Sequence, residues 1–531
     1  MLYCVSPRNN LMLLILGILF LFCIPQQANA QPMQWMEPLS LESQVGWKAE
    51  PPDIAIEGRF IFMVWHTWIT EYTSHIRFSM SDDAGRTWTE PMALTSEESV
   101  ADSPKIACDK NIVHVVWKEV QQNYTEIYYT RSLNYGQTWD AIQQLTFNNT
   151  ITTNIYDVKI AVQHSMVYVI WKDYRTGSSE VFLKKSTDSG ETWSDNIRIT
   201  TDYTPSYHPA ITTSPSMTWI VWDDWGERAD ICYSYSTDDG NSWNGKHFLT
   251  QQGESKEADI AIEGNHVYIV WEDNRDGNYE VYFKESPDRG LSWYEDQRLT
   301  NASGFSVNPQ LAVNNNTITV VWMDNREGTY DIYYKQRDIQ NQWTTDYLIQ
   351  KTGSDELFPC ISLMKGYPCI AWKQHDNAAQ SDVVFIQALF STPLITALDS
   401  TLIDNSTTKE HALHVYGVDQ FYTMSELHCQ IQIKFPLAEW NTLDNVMFVD
   451  DHWEQTIAFS DVSQPGNYLV RAKVQNPEGT TSPWSEYLIL SFQQISENKN
   501  SPGFEGIGVF VALTVIMFGM TLFYHTRRQK Q

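Results

Sequence analysis

The chain has 531 residues, 42% of them hydrophobic and 13% aromatic, with 21 Trp among them, which is material for more than one domain. Asp and Glu number 65 against 36 Lys and Arg, a formal net charge of −29, so electrostatic attraction to nucleic acid or to anionic headgroups is disfavoured. Seven Cys in a chain of this length are too few for a disulfide scaffold.

The first element, residues 1–30, starts with a short polar stretch carrying Arg8, runs through the apolar "LMLLILGILFLFCI" and ends in "ANA". That pattern predicts a signal peptide cleaved after Ala30, and hence export. Cleavage removes two of the Cys and leaves Cys108, Cys232, Cys360, Cys369 and Cys429. Cys360 and Cys369 flank a predicted hairpin turn at "MKGY" and are the one pair expected to bond. Sequons at Asn123, Asn148, Asn301, Asn315 and Asn405 are compatible with glycosylation outside the cell.

Residues 31–391 carry an internal repeat. Apolar runs ending in Trp recur at Trp65, Trp117, Trp171, Trp222, Trp271, Trp322 and Trp372, at intervals of 52, 54, 51, 49, 51 and 50 residues. Each unit reads as four short strands, and four strands in about 50 residues is the signature of a β-propeller blade. The Trp-ended strands are apolar at nearly every position, as strands covered on both faces must be. Seven Trp runs predict seven blades, but the seventh unit ends without a fourth strand. "WMEPLSL" at Trp35–Leu41 matches "WTEPMAL" at Trp88–Leu94 and is a fourth strand without a unit of its own. Docked onto unit 7, it closes the ring and covers its edges.

Between third and fourth strands stands Ser-x-Asp-x-Gly-x-Thr/Ser-Trp. Asp83, Asp188, Asp238 and Asp288 hold the Asp position, Asn134 replaces it in unit 2, and unit 6 decays to "QRDIQNQW". A short acid that accepts backbone N–H groups, a Gly that tolerates positive φ and a packing Trp describe a structural turn, and chemistry does not need so many copies. In this motif the chain resembles the Asp-box, or BNR, repeat proteins, whose best-known members are sialidases. The resemblance implies that the boxes lie on the face away from any active site. Sialidase activity also needs three arginines, a Tyr–Glu pair and an acid/base Asp, and the Phe/Tyr-Arg-Ile-Pro motif that carries the first arginine does not occur here. Sialidase propellers have six blades, against the seven expected here.

The loops between second and third strands lie at the opposite end from the boxes. Three of them repeat Asp, Arg and a further acid: Asp173, Arg175 and Glu180; Asp273, Arg275 and Glu280; Asp324, Arg326 and Asp331. We read these as Arg–carboxylate clasps that hold each loop, with a ring of charge for a polar ligand as the alternative. Glu272–Gly277 faintly resembles a calcium loop, but Phe283 stands where the bidentate Glu belongs, and no metal or cofactor is expected. Ligand contacts are expected where the repeat breaks: His66 and Trp68 in unit 1, Tyr207, His208, Asp224 and Trp225 in unit 4, and His375 in unit 7. Aromatic faces beside polar groups suit sugars or peptide side chains.

After Pro393 the period is lost. Residues 392–494 alternate in short apolar runs that fit a β-sandwich of about 100 residues. "PGNYLVRAKVQNPEGTTSPWSE" resembles the last strands of fibronectin type III domains, with Tyr468 and Trp484 at their typical places. Residues 495–505 read as a stalk. Residues 506–524 are uncharged and apolar, and 19 positions at about 1.5 Å each just span a hydrocarbon core of roughly 30 Å. The basic tail 525–531 is then cytoplasmic and the bulk of the chain extracellular. The expected fold is thus all-β: a seven-bladed propeller, a sandwich and one transmembrane helix. The expected function is binding or adhesion at the cell surface, without catalysis, towards a glycan or protein ligand. The rival is an exo-acting glycoside hydrolase using carboxylates among Asp173, Asp224, Asp273 and Asp324 near the central funnel.

Overall fold

The structure is a computed structural model. It describes residues 35–388 except 42–47, 122–123, 148–154, 339–340 and 376–380, and beyond 388 the backbone of nine strands between Leu394 and Leu513. Every regular element in these residues is a strand.

Units 2 to 6 each fold into one antiparallel sheet of four strands in sequence order, the fourth only two residues long. The first strand of each unit lies against the first strand of the next, and that of unit 7, Asp355–Met364, lies against that of unit 1, Asp53–Glu57. Units 7 and 1 share one sheet. Leu39 and Ser40 pair with Phe385 and Val384 as the fourth strand of unit 7, and Trp35 bridges to Ala388. The short strand Lys48–Ala49 then pairs with both Ser381 and the Thr67–Trp68 end of unit 1. The orphan strand read at Trp35–Leu41 therefore sits where the missing fourth strand was expected.

The core lies between sheets rather than within one. Phe78 and Met80 of unit 1 pack with Ile106, Val113 and Trp117 of unit 2, and Trp219 and Val221 of unit 4 with Ile269 and Trp271 of unit 5. All seven repeat Trp residues are no more than 1% exposed. Two-sided burial is why the second strands show no polar alternation.

Each box is a rivet between units. In unit 3 the Oδ1 of Asp188 accepts the Thr192 N–H at 2.9 Å, its Oδ2 accepts the Thr192 hydroxyl at 2.5 Å, and Gly190 N–H reaches Ser186 Oγ at 2.8 Å. Asp83, Asp238 and Asp288 repeat these bonds. Asn134 keeps them by accepting through Oδ1 and donating through Nδ2. The decayed box retains the same acid, since Asp338 accepts the Gln342 N–H at 2.9 Å. The box Trp and Gly lie on an aromatic ring of the preceding unit: Trp193 meets Tyr129 edge-on at 4.9 Å, and Trp139 meets Phe78 likewise. Arg131 of unit 2 also donates to the Ser189 carbonyl of the unit 3 box at 2.7 Å.

Beyond the repeats, the strands form two further sheets, one of four strands and one of five. Within 506–524 the described residues are Val511–Leu513, a strand paired with Leu490–Phe492 and not part of a helix; the rest of that segment lies outside the described residues, as do 1–30, 495–505 and 525–531. No described helix is long and apolar enough to cross a membrane. Cys360 and Cys369 are both free, against the expected bond. Cys360 faces Ala371 and Cys369 faces Ser362. The two are therefore diagonal neighbours, at about 7–8 Å in a sheet of this kind, beyond the usual Cα reach of a disulfide.

Candidate functional site: a ring of bulges around the central channel

The first strands of units 2 to 7 all break register at the same place, between Asp102 and Lys105, Tyr156 and Lys159, Tyr207 and Ala210, Lys256 and Asp259, Val307 and Gln310, and Leu357 and Cys360. At each break one non-glycine residue takes positive φ: Ser103 (53°), Asp157 (55°), His208 (44°), Glu257 (52°), Asn308 (53°) and Phe358 (54°). In unit 1 the matching place is Pro51, whose ring forbids that conformation. Bulges re-aim side chains, and these six turn theirs into the central channel, a cavity of about 350 Å³ walled by all seven units. Positive φ at a non-glycine residue costs of order 1–3 kcal/mol. Six such residues in one ring put part of the fold's backbone strain at the channel, with a further share in the box turns at Ala84, Tyr135, Ser189, Asp239 and Arg289.

The residue after each repeat Trp supports the ring. Lys118 pairs with Asp102 at 3.1 Å and Lys172 with Asp157 at 2.7 Å. Asp223 accepts from His208 Nδ1 at 2.6 Å and from the Glu257 N–H at 3.3 Å. Glu272 accepts the Asn308 N–H at 2.9 Å, and Met323 sulfur accepts the Phe358 N–H at 3.0 Å. Burial raises Glu272 to about 7 and Asp223 to about 6, the latter opposed by His208. Lys105, Lys118 and Lys159 line the wall at units 2 and 3, and Glu257 lines it at unit 5.

His208 is the most connected of these groups, with its Nε2 also 3.1 Å from Glu257. Burial works against its charge, but the bond to Asp223 and the nearby Glu257 and Asp157 carboxylates outweigh it and raise its pKa to about 9 from 6.5. A raised folded pKa means that the stabilisation is complete below about 6.5 and is lost as pH rises through about 9. Urea unfolding midpoints of the wild type should therefore fall between pH 7 and pH 9.5 by more than those of His208→Gln; an equal fall in both would refute the assignment.

Around the bulge end of the sheets runs an arc of aromatic rings linked by ammonium groups. Lys118 and Lys172 lie over Tyr156 at 4.9 and 5.0 Å, and Lys172 also over Tyr207 at 5.0 Å. Tyr207 meets Trp225 edge-on at 5.3 Å, and Lys256 lies over Tyr279 at 4.5 Å and Trp225 at 5.7 Å. Phe305 follows Tyr279 at 6.4 Å. Trp225 and Phe305 are 43% and 45% exposed, so the arc presents flat apolar faces with cations between them.

The expected ligand residues are thus divided. His208 lines the channel, and Tyr207 and Trp225 belong to the arc. Asp224 is buried and held by Lys246 and Thr204, each at 2.8 Å, so it is not presented to a ligand. In unit 1 His66 is buried, which lowers its pKa to about 4, with Trp68 edge-on at 6.1 Å. His375 is exposed at the end of the unit 7 second strand and is not among the residues that line the channel.

The loop arginines close within their own units. Arg175 is held by Asp173, Arg275 by Asp273 and Asp296, and Arg326 by Asp324 and Asp346. The same aspartates accept the repeat Trp indoles at 3.0–3.1 Å. The third acid of each expected clasp is engaged elsewhere. Glu180 and Glu280 bind Arg198 and Arg298 of the fourth strand at 2.6 and 2.9 Å. Asp331 has no such arginine. Asp173, Asp224, Asp273 and Asp324 are all buried in these contacts and do not line the channel.

Apart from His208 and His66, neither the bulge ring nor its supports are among the residues that sequence reasoning singled out. The signal was present: the residue after each invariant Trp changes charge from unit to unit, as His66, Lys118, Lys172, Asp223, Glu272, Met323 and Lys373. Variation beside a constant core residue marks the side that faces something other than the core.

Residues 57–269 match the family of BNR repeat-like domains. No curated protein sequence matches the chain. Among solved structures, a Trypanosoma rangeli sialidase mutant displaying trans-sialidase activity aligns at 12% identity and a TM-score of 0.39, over 74% of this chain and 84% of that one. Trypanosoma rangeli sialidase in complex with sialic acid aligns at 12% and 0.38, over 73% and 83%. The GH93 alpha-L-arabinofuranosidase of Fusarium graminearum with arabinobiose aligns at 13% and 0.42, over 58% and 98%. The matched stretch runs through units 1 to 4 and into unit 5, so these residues form a BNR repeat-like domain, and the same box recurs in register beyond it at Asp288.

Proposed function

We propose that this is a cell-surface binding protein without catalytic activity: a seven-bladed propeller, carried by a fibronectin-like sandwich and one C-terminal span, that takes a glycan or protein ligand on the aromatic arc at its channel mouth. The observation that carries the reading is the state of the loop arginines. Arg175, Arg275 and Arg326 each close on aspartates of their own unit, and the channel wall offers lysines in place of arginines. A fixed carboxylate clamp of the sialidase kind has no free arginine to draw on there. The arc supplies what a non-covalent sugar or peptide site needs, exposed aromatic faces with cations between them. Seven blades are supported by the seven Trp-ended strands and the return of unit 7 to unit 1, the sandwich by the two sheets after Leu394, and the exported and anchored state by residues 1–30 and 506–524.

One observation favours the hydrolase reading. Asp223 and Glu272, on adjacent units, have pKa values raised to about 6 and 7, as carboxyls that work as general acids do. Both are nearly inaccessible to solvent, and both are occupied in holding bulge residues. The full-length chain is therefore expected to release no fluorophore from aryl sialosides or aryl arabinofuranosides. Saturable turnover that is lost in Glu272→Gln would establish the enzyme instead.

A further inference from the structure

The start of the third strand carries a buried acid in five consecutive units: Glu126, Glu180, Asp230, Glu280 and Asp331. In units 2 to 5 it is neutralised by donors from its own unit. The hydroxyl of a threonine just after the fourth strand reaches it, as Thr200 reaches Glu180 at 2.5 Å and Thr300 reaches Glu280 at 2.6 Å. In units 3, 4 and 5 an arginine also does, Arg198 at 2.6 Å, Arg228 at 3.0 Å and Arg298 at 2.9 Å.

Unit 6 and the first strand of unit 7 break this arrangement three times. Leu348 stands where Arg198 and Arg298 stand, and Gln350 replaces the threonine. Asp331 is 0% exposed, yet neither of its carboxylate oxygens has a hydrogen-bond partner, and the buried Oε1 of Gln350 has none either. The third change adds an acid. Glu356, also 0% exposed, occupies the place held by Ser206, Ser255 and Ser306 in the preceding units, and Ser306 is 3.4 Å from Glu280, the counterpart of Asp331. Glu356 accepts the Ile332 N–H at 3.3 Å, the role that Thr300 plays for Val281 in unit 5, and the Thr352 hydroxyl at 3.2 Å.

The local charge therefore passes from a balanced Glu280–Arg298 pair in unit 5 to two buried carboxylates at the junction of units 6 and 7. Lys351 is the nearest cation, but it is exposed and closed onto Glu327, while Asp324 and Asp355 add to the negative field around Asp331. Burial raises the Asp331 carboxyl and brings Glu356 to about 7, with the charge of Asp331 adding to the rise. Buried charges without partners are costly, and the ordinary remedies are a bound cation or protonation.

We propose that Asp331, Glu356 and the amide oxygen of Gln350 form a binding site for a hard divalent cation, with calcium the expected ion. The available donors are all oxygens, two anionic and one neutral, and nitrogen and sulfur ligands are missing from the set, which selects calcium or magnesium over zinc or copper. Among the described residues no three His, Cys, Asp or Glu side chains gather as a metal set. A site of two carboxylates and one amide leaves positions for water, and affinities of about 10⁻⁴–10⁻³ M are usual for extracellular calcium modules. The ion would pin the first strand of unit 7 to the third strand of unit 6, beside the junction that closes the ring.

The test is calcium binding by the full-length chain after treatment with EGTA, followed by isothermal titration and by thermal unfolding. One saturable site and a calcium-dependent rise in Tm are expected. Asp331→Asn and Glu356→Gln should each weaken binding at least tenfold, yet melt no lower than the wild type in EGTA, because each removes one of two repelling buried charges. Should either variant fail to fold, the other and Gln350→Met carry the same comparison. A wild type that binds neither calcium nor magnesium would overturn the site and leave the two carboxyls sharing a proton. Binding of unchanged strength in all the variants would place the ion elsewhere and overturn it equally.

Discussion

Replacing Gly190 by alanine destabilises the protein by about 2–5 kcal/mol, whereas Gly177→Ala costs only about 1–2 kcal/mol. The two glycines have nearly the same backbone, with φ of 85° and 87°, so the conformational cost of a side chain is shared. They differ in what the new methyl group meets. At Gly177 nothing lies within 4 Å, but at Gly190 the Tyr129 hydroxyl would be 1.9 Å away and its Cζ 2.6 Å. Tyr129 cannot retreat. It is wholly buried, hydrogen-bonded to His114 Nδ1 at 2.7 Å and covered by Trp193. Overpacking a fixed site adds about 1–3 kcal/mol to the backbone term. Chemical denaturation of the two variants side by side measures the difference. Equal losses would mean that the box glycine serves its own turn alone and does not seat the neighbouring unit.

Arg275→Ala removes the cation from a carboxylate that stays buried, and a loss of about 3–5 kcal/mol is expected. Asp273 is 0% exposed and receives the Arg275 Nε at 2.9 Å and Nη2 at 2.6 Å. The Arg275 N–H, Ser255 and Trp271 continue to donate to it in the variant, but they supply no charge. Arg275→Lys recovers only part of the loss, because a single ammonium cannot reproduce the paired donors. Lys351→Ala is the control. Its pair with Glu327 lies in solvent, where ion pairs contribute little, and no measurable change is expected. A loss at Arg275 as small as at Lys351 would return the loop arginines to the surface and make them available to a ligand.

The architecture was legible because the repeat is written in residues whose role is purely steric. Seven Trp residues at near-equal intervals give the units, and Trp35–Leu41 identifies itself as a fourth strand through likeness to Trp88–Leu94. The boxes were legible for the same reason, since Asp, Gly and Trp at fixed spacing describe one turn geometry. The site was legible only in part. Tyr207, His208 and Trp225 were found as departures from the repeat, but Asp224 stands beside Trp225 and is buried under Lys246, a contact across 22 residues that no local pattern encodes. The bulges as a set escaped, His208 being found only on its own, because their residues share a conformation and not a composition: Ser103, Asp157, His208, Glu257, Asn308 and Phe358 have no common chemistry. The expected clasps failed at the third acid because Glu180 and Arg198 are brought together by strand pairing, 18 residues apart.

The arc at the channel mouth is the heart of the functional account, and binding by the full-length chain to an immobilised panel of glycans and cell-envelope polymers tests it most directly. Wild type and Tyr294→Ala, which alters an exposed aromatic at the box end, should bind one class of ligand with the same affinity. Trp225→Ala should lose that binding by at least tenfold while unfolding at the wild-type temperature. Binding that survives Trp225→Ala but is lost with Tyr294 would put the ligand at the opposite end of the propeller and contradict the account.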